Sequence, residues 1–388
     1  MNLTPDPEER RFREEVRTWL HANIPRQPRP VEGPEMAAFD QAWQRRQFDG
    51  GWAGIHWPVA YGGRGLSLVQ QLIWYEEYAR AEAPNLGSNF IGLQHAGPVL
   101  IDSGSEALKQ HHLGRILRGE EIWCQGFSEP GAGSDLAALR TRGVVDGDDL
   151  VVTGQKIWTS YAHVSHVQEL LVRTDPQAQR HRGLSWVVCD MKTPGITVRP
   201  LRTISGRIHF CEVFYDEARI PLTNVVGGLG NGWKVAMSTL AWERGTAFIS
   251  EQVELARTVD HLVDEARRRT GPDGLRPALQ HEELREQLAA ARAEVRALRA
   301  MTVASVSRIG ESGMPGAEAS IIRLYFSELN QRVRRLALRV LGPRAMETGN
   351  GYEGWGWSYV DAFRYTIAAG TAEIQRNIIG ERVLGLPR

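Results

Sequence analysis

Three short segments hold the residues whose types and spacing suit chemistry. The first is Ser128-Glu129-Pro130-Gly131-Ala132-Gly133-Ser134-Asp135. Its glycines let the backbone approach a ligand closely, and its N–H groups can face an anion. Ser128 and Ser134 add hydroxyl donors, although a Gly-rich stretch is by itself also an ordinary turn. The second, Gly154-Gln155-Lys156-Ile157-Trp158-Thr159-Ser160, sets a large aromatic before two hydroxyls on a predicted strand. That group suits covering one face of a planar ring and hydrogen-bonding its edge; the plainer reading is a buried tryptophan. The third runs from Ala369 through Gly370-Thr371-Ala372-Glu373 to Gly380. It reads as a loop entering a helix, with Thr371 as N-cap and Glu373 near the positive end of the helix dipole. Helix starts of this kind also bind phosphates.

Elements of two kinds must position these segments. To about residue 122 the chain reads mainly helical. Phe12, Val16, Trp19 and Leu20 repeat at helical spacing behind Pro5 and Pro7. Leu72, Ile73, Tyr75 and Tyr78 do the same after a turn-rich loop from Pro58 through Tyr61-Gly62-Gly63 to Gly65. From Trp123 to Gly228, short β-rich runs alternate with turns: Leu150–Val152, Trp186–Val188, Ile196–Val198 and Phe210–Tyr215, with Asp146-Gly147 as a hairpin turn. After Gly232 the chain is helical again. Leu284, Leu288, Ala291, Val295 and Leu298 form a stripe for packing against other helices, and Gly271-Pro272-Asp273-Gly274 separates two of them. The expected fold is α+β multidomain. It comprises an N-terminal α-helical domain (1–122), a middle antiparallel β-barrel or sandwich (123–228), and a C-terminal four-helix bundle (229–388).

Composition narrows the function. In 388 residues, 46 Lys and Arg balance 46 Asp and Glu, so no overall charge pulls the chain to nucleic acid or an anionic membrane. No apolar run of about 18 residues appears, and the polar start has no secretory apolar stretch. Cys124, Cys189 and Cys211 lack CxxC spacing, which argues against a disulfide frame or zinc and for a reducing cytoplasm. No metal is expected. His111-His112 reads as surface, without a metal-type partner pattern. Gly228-Leu229-Gly230-Asn231-Gly232 imitates part of a dinucleotide loop, but no βαβ unit surrounds it, so it reads as a hinge. No GxSxG is present, which argues against a serine hydrolase. Arg332, Arg334, Arg335, Arg339 and Arg344 crowd one stretch, suited to a pyrophosphate or to a solvated or subunit-facing helix side.

Taken in order, the Pro58–Gly63 loop, the Ser128–Asp135 run, Lys156–Ser160 and the Gly370–Gly380 close resemble the acyl-CoA dehydrogenase family across essentially the whole chain. The resemblance implies FAD between the β domain and the C-terminal helices. By position, Phe127 and Ser128 would meet the flavin pyrimidine edge, and Trp158 would flank the isoalloxazine. Thr159 or Ser160 would hydrogen-bond its reactive N5 edge. Ser134 would lie near the phosphates or the substrate pantetheine, and Thr371 and Glu373 would reach the cofactor from the C-terminal domain. The implied activity is α,β-dehydrogenation of an acyl thioester to the trans-2-enoyl thioester, with flavin N5 accepting the hydride. The substrate would be an acyl-CoA or acyl-carrier-protein, and the acceptor an electron-transfer flavoprotein.

The α-proton needs a carboxylate. Many family members carry it just before the Gly-Thr pair, where this chain has Ala369. Other members place it on a helix opening the C-terminal domain, directly before an arginine. Trp242-Glu243-Arg244-Gly245 fits that pattern, which makes Glu243 the expected base and Arg244 a substrate-binding residue. Met237 and Leu240 beside it would desolvate the carboxyl and raise its pKa toward neutrality. A surface ion pair is the plain alternative. The Ala369 N–H remains to polarise the thioester carbonyl, as the resemblance implies.

Two further departures concern assembly. The family's Arg-x-x-Phe-Gly motif, which reaches a neighbouring subunit's FAD, is matched here by Arg268-Arg269-Thr270-Gly271, leaving Arg269 as the cofactor contact. Arg339 stands where a glutamine is expected upstream of a Gly-Gly pair. Such changes resemble members that work as mixed α2β2 assemblies, including those acting on steroid side chains; a homodimer or homotetramer is the other expectation. Competing readings are an O2-using flavin oxidase or monooxygenase of the same fold, or a subunit whose partner holds the working site.

Overall fold

A computed structural model describes residues 6–243, 249–312, 316–346 and 354–387. The N-terminal helices start where their sequences say they should. Asp6 caps α1 (Pro7–Asn23) in a reciprocal box with Glu9, and Ser67 caps α3 (Leu68–Arg80) in the same way with Gln70. Phe12, Val16 and Leu20, four residues apart, form the buried stripe of α1, each contributing about 1.5–3 kcal/mol by leaving water. They pack into an aromatic core in which Trp52 and Trp74 stack at 4.6 Å. Helices α2 (Gly33–Asp49), α4 (Gly97–Ser103) and α5 (Glu106–Leu117) complete this part. In the Pro58–Gly65 loop, a Cβ on Gly63 would sit 2.3 Å from the Trp57 carbonyl, so only glycine fits.

His112 corrects the expectation of a surface histidine pair. It is buried, with Nδ1 2.8 Å from Glu121, while His111 stays exposed. Glu121 also accepts from Arg115 at 3.2 Å and from the Trp123 indole at 3.2 Å. The ligand atoms of His111, His112 and Glu121 lie within 4.8 Å of one another, but Arg115 already occupies the carboxylate. The partner lies nine residues on, outside any short-range pattern.

The middle of the chain forms one eight-stranded sheet: β1 (Trp123–Gly126), β2 (Arg142–Asp146), β3 (Asp149–Ser160), β4 (Val167–Arg173), β5 (Leu184–Asp190), β6 (Ile196–Leu201), β7 (Phe210–Pro221) and β8 (Val225–Val226). Their order is β6-β7-β3-β2-β4-β5-β8, with β1 beside β4. The β2–β3 hairpin turns at Gly147, which takes φ +60°. The sheet is mixed rather than purely antiparallel, because β1 runs parallel to β4 and β2 meets β4 in parallel. Alternation of residue types along a strand sets which face is buried and says nothing about the direction of its neighbour. Cys124, Cys189 and Cys211 are buried, free thiols in the sheet core.

Helix α6 (Gly232–Glu243) packs on β5 and α4, and Gly232 opens it against the Ser185 backbone, where a Cβ would lie 2.4 Å away. Helices α7 (Ile249–Arg268), α8 (Glu282–Ser312) and α9 (Ala319–Leu341) pack pairwise through stripes such as Leu255, Val259 and Leu262 against Leu288, Val295 and Leu329. Short helices α10 (Trp355–Asp361) and α11 (Ala372–Ile378) lie on α9. Arg299 on α8 pairs with buried Glu76 on α3, and the Trp357 indole donates to the Ser205 carbonyl at 2.9 Å, so the C-terminal helices are tied to both other parts. No helix among the described residues is long and apolar enough to cross a membrane.

Candidate active site

The first two chemical segments are joined by hydrogen bonds. The Ile157 N–H donates to the Ser128 carbonyl at 2.9 Å, seating the Gly-rich loop on the end of β3. Beneath that joint lies a buried ion pair which the motifs contain but sequence reasoning did not single out. The Lys156 ammonium, 0% exposed, donates to Glu129 at 2.8 Å and to the Phe127 carbonyl at 3.0 Å. Glu129 also accepts the amides of Thr141 at 2.8 Å and Arg140 at 2.6 Å. Burial works to raise the Glu129 carboxyl, but Lys156 and these donors outweigh it and hold its pKa low. Burial pulls the Lys156 ammonium down to about 8, against the pull of Glu129. The loop's shape is therefore fixed from inside. Phe127 puts its ring in the core, leaving its backbone for the site. Ser128 is half-buried, Ser134 is exposed, and Asp135 is paired with Arg180. A Cβ on Gly131 or Gly133 would meet nothing, so that side of the loop is open.

A β-bulge re-aims the second segment. Between β3 and β7 the register passes from Lys156↔Val213 to Thr159↔Cys211, three residues against two. The extra residue bends at Trp158, whose φ is +61°. Trp158 is thereby turned outward and is 56% exposed, with its edge toward Phe210 at 5.9 Å. Thr159 turns inward and is buried, its Oγ1 without a hydrogen-bond partner, while Ser160 is half-buried. The plain reading of Trp158 as a core residue is excluded.

The third segment forms as expected at its helix start. Thr371 caps α11 by accepting from the Ile374 N–H at 3.3 Å. Glu373 is exposed, and the backbone N–H and Thr371 hydroxyl beside it hold its carboxyl below the usual range. Ahead of the helix, Ala369 and Gly370 take φ +57° and +87°. Glu243 lies on α6; its side chain, and Arg244 altogether, lie outside the described residues. Arg269, just past the other end of α7, pairs with Glu265. That end is about 30 Å of helix from Ile249.

Charged groups of the C-terminal helices act on one another and on the sheet; of these only Arg334 stood in a stretch marked by the sequence. Glu254 is solvent-accessible, and desolvation raises its carboxyl. Glu251, with an unpartnered Oε2, is raised to about 7 by burial and then by Glu254. Desolvation works to lower Arg364, but Tyr365 and Asp361 outweigh it and raise its pKa. Desolvation lowers Arg334. Arg364 and Asp361 act electrostatically on His209 and Arg207 of the sheet, next to Phe210 and Trp158.

These residues fit FAD. An exposed indole beside serine hydroxyls suits the face and edge of an isoalloxazine, the orphaned Thr159 hydroxyl lies at the same bulge, and Arg334 and Arg364 suit a pyrophosphate.

Comparison with known proteins bears on the whole chain. Residues 6–120 match the acyl-CoA dehydrogenase N-terminal domain, 124–218 the middle domain and 230–384 the C-terminal domain. Acyl-CoA dehydrogenase IpdE1 of Mycobacterium tuberculosis is 40% identical over 385 residues, 97% of each chain. Among solved structures, the Tcur3481-Tcur3483 steroid ACAD superposes with a TM-score of 0.88 at 28% identity, covering 100% of both chains. The ChsE4-ChsE5 complex of Mycobacterium tuberculosis gives 0.84 at 30%, again covering 100% of both. The chain therefore belongs to the acyl-CoA dehydrogenase family and is an FAD-dependent enzyme that dehydrogenates acyl-CoA.

Proposed function

We propose that this chain oxidises a ring-bearing, steroid-derived acyl-CoA, with Glu243 as the α-proton base. The observation that carries the base assignment is the alanine at 369, which cannot accept a proton, together with the place of Glu243 on α6. FAD, when bound, supplies the two-electron acceptor that takes the β-hydrogen with its electron pair. Glu243 takes the α-proton onto a carboxylate oxygen. The Ala369 N–H donates to the thioester carbonyl, where negative charge grows as that proton leaves. Trp158 would cover one face of the flavin ring, and Ser160 or Thr159 would donate to its N5 edge. The backbone of Phe127 and the hydroxyl of Ser128 would address the pyrimidine edge. Ser134 lies by the phosphates or pantetheine, Arg244 holds the substrate, Thr371 and Glu373 approach from α11, and Arg269 serves a neighbouring subunit's cofactor.

Steroid chemistry is inferred from the neighbour described as a steroid enzyme, and assembly with a related subunit from the two-component names of both solved structures. Exposed apolar residues at the C-terminal end, among them Ile367 and Leu384, each 64% exposed, support a subunit-covered face. Electron-transfer flavoprotein is the proposed acceptor, the cytoplasm the proposed location, and 1–122, 123–228 and 229–388 the proposed domain division. The test is anaerobic mixing of the yellow, FAD-loaded protein with CoA thioesters of ring-bearing acids. The wild type should bleach. Glu243→Gln should keep its colour and bleach on the order of 10²–10⁴-fold more slowly. Bleaching of that variant at the wild-type rate would remove Glu243 from the mechanism.

A further inference from the structure

The turn before α11 is braced from within. Ala369 sits at φ +57°, a conformation that costs a non-glycine residue about 1 kcal/mol. All three carbonyls of the turn are held by side-chain donors. Arg323 Nη2 on α9 donates to the Ala368 carbonyl at 2.8 Å. Gln375 Nε2 donates to the Ala369 carbonyl at 3.0 Å and the Gly370 carbonyl at 3.3 Å. Both side chains are buried, Arg323 at 5% and Gln375 at 1% exposure. A Cβ on Gly370 would meet the Gln375 amide at 2.8 Å, so the brace also requires that glycine.

The geometry of the peptide bond gives the consequence. In a trans peptide the N–H points opposite to the C=O. Fixing the Ala368 carbonyl on Arg323 therefore turns the Ala369 N–H away from the buried guanidinium, toward the side on which Ala368 and Gly370 are exposed. Among the described residues the Ala369 N–H has no acceptor. Arg323 also acts electrostatically on Glu251, but its donation to the Ala368 carbonyl fixes that peptide plane, which suits a site where the opposite N–H must be aimed.

We propose that Arg323, seconded by Gln375, is the positioning residue that aims the Ala369 N–H at the acyl thioester carbonyl. The inference rests on the reading of the site given above. A side chain at 369 could brace its own backbone by packing; alanine offers one methyl group, so the aim must come from the partners of the carbonyls.

The test compares two ligands on the FAD-loaded full chain, with its companion subunit if one copurifies. 3-Cyclohexylpropenoyl-CoA has the carbonyl; S-(3-cyclohexylpropyl)-CoA lacks it. Binding is read from the flavin absorbance, without turnover. Arg323→Met should weaken the thioester about tenfold, about 1.4 kcal/mol, and leave the thioether unchanged. Arg323→Lys should recover most of the loss. Equal weakening of both ligands, or of neither, overturns the proposal. If Arg323→Met does not fold, Gln375→Leu carries the same comparison, with the same differential expected and the same null result refuting it. A wild type that binds both ligands equally would instead overturn the reading of Ala369 on which the proposal stands, and the proposal with it.

Discussion

Replacing Lys156 by methionine tests whether the proposed flavin wall is held from inside the sheet. The substitution keeps the length and apolar stem and removes the charge. It leaves Glu129 buried, with the two amide donors of Arg140 and Thr141 but without its ammonium partner, and leaves the Phe127 carbonyl without its donor. Breaking a buried ion pair from one side costs about 3–5 kcal/mol. Two amides still solvate the carboxylate, so the low end, about 3 kcal/mol, is expected. At about 2–4 °C per kcal/mol for a cooperative unit of 150–250 residues, the melting temperature should fall by roughly 6–12 °C. Glu129→Gln strands an ammonium at 0% exposure and should cost a similar amount. The double variant should be less damaged than the two single effects added together, with a coupling of about 1–3 kcal/mol. Loss of FAD should track the loss of stability, because the clamp holds Phe127 and, through Ile157, Ser128. Differential scanning calorimetry with the flavin-to-protein ratio measures both. A Lys156→Met protein that melts within 1 °C of wild type and keeps its flavin, or strictly additive single effects, would refute the clamp.

Trp158→Gly should relieve a strained φ and raise the melting temperature of the apoprotein, by about 1 kcal/mol equivalent, while weakening FAD at least tenfold; fluorescence titration with FAD reads the second effect. Glu251 keeps its proton to about 7 in the folded chain, whereas an unfolded glutamate loses it near 4.5. The folded state thus binds more protons between those values, and stability falls as pH rises through that window. Glu251→Gln should flatten urea-denaturation stability across it, with a gain of up to about 3 kcal/mol at pH 8. Glu121→Ala leaves His112, Arg115 and Trp123 without their shared acceptor and should cost about 2–3 kcal/mol by denaturant titration, with FAD retained.

What could be read from the chain depended on the range of the interaction. The stripe Leu284–Leu298 and the Asp146-Gly147 turn are local patterns, and both appear as expected, as α8 and as the β2–β3 hairpin. Thr371 as N-cap is equally local. The parallel placement of β1 beside β4 joins strands separated by a hairpin, and no periodicity encodes it. Glu129 and Lys156 both stand inside conspicuous motifs, yet their pairing across 27 residues appears only when the loop folds onto β3. A lysine two residues before a tryptophan on a predicted strand was the available signal. Ser160, Trp158 and Ser128 were legible as chemistry, but the bulge that decides which of them faces outward was not.

Among the described residues five non-glycine positions take positive φ: Glu82, Trp158, Tyr161, Glu217 and Ala369. Two lie away from the site. The other three belong to the segments singled out for chemistry or follow them directly, and each is held by neighbours rather than by its own preference. Ile157, next to Trp158, is pinned to the Ser128 carbonyl. The Tyr161 N–H is tied to His209 at 2.7 Å, and the turn at Ala369 to Arg323 and Gln375. A relaxed strand would keep Trp158 in alternation, and a relaxed turn would leave the direction of the Ala369 N–H to chance. Strain of this kind persists only where the surroundings over-determine it. Here the surroundings are a buried ion pair, a sheet register and two buried polar side chains, all of which stabilise a geometry that presents groups outward. Stability in this chain is therefore spent at the places where a flat cofactor and an acyl carbonyl would have to be met by atoms already in position.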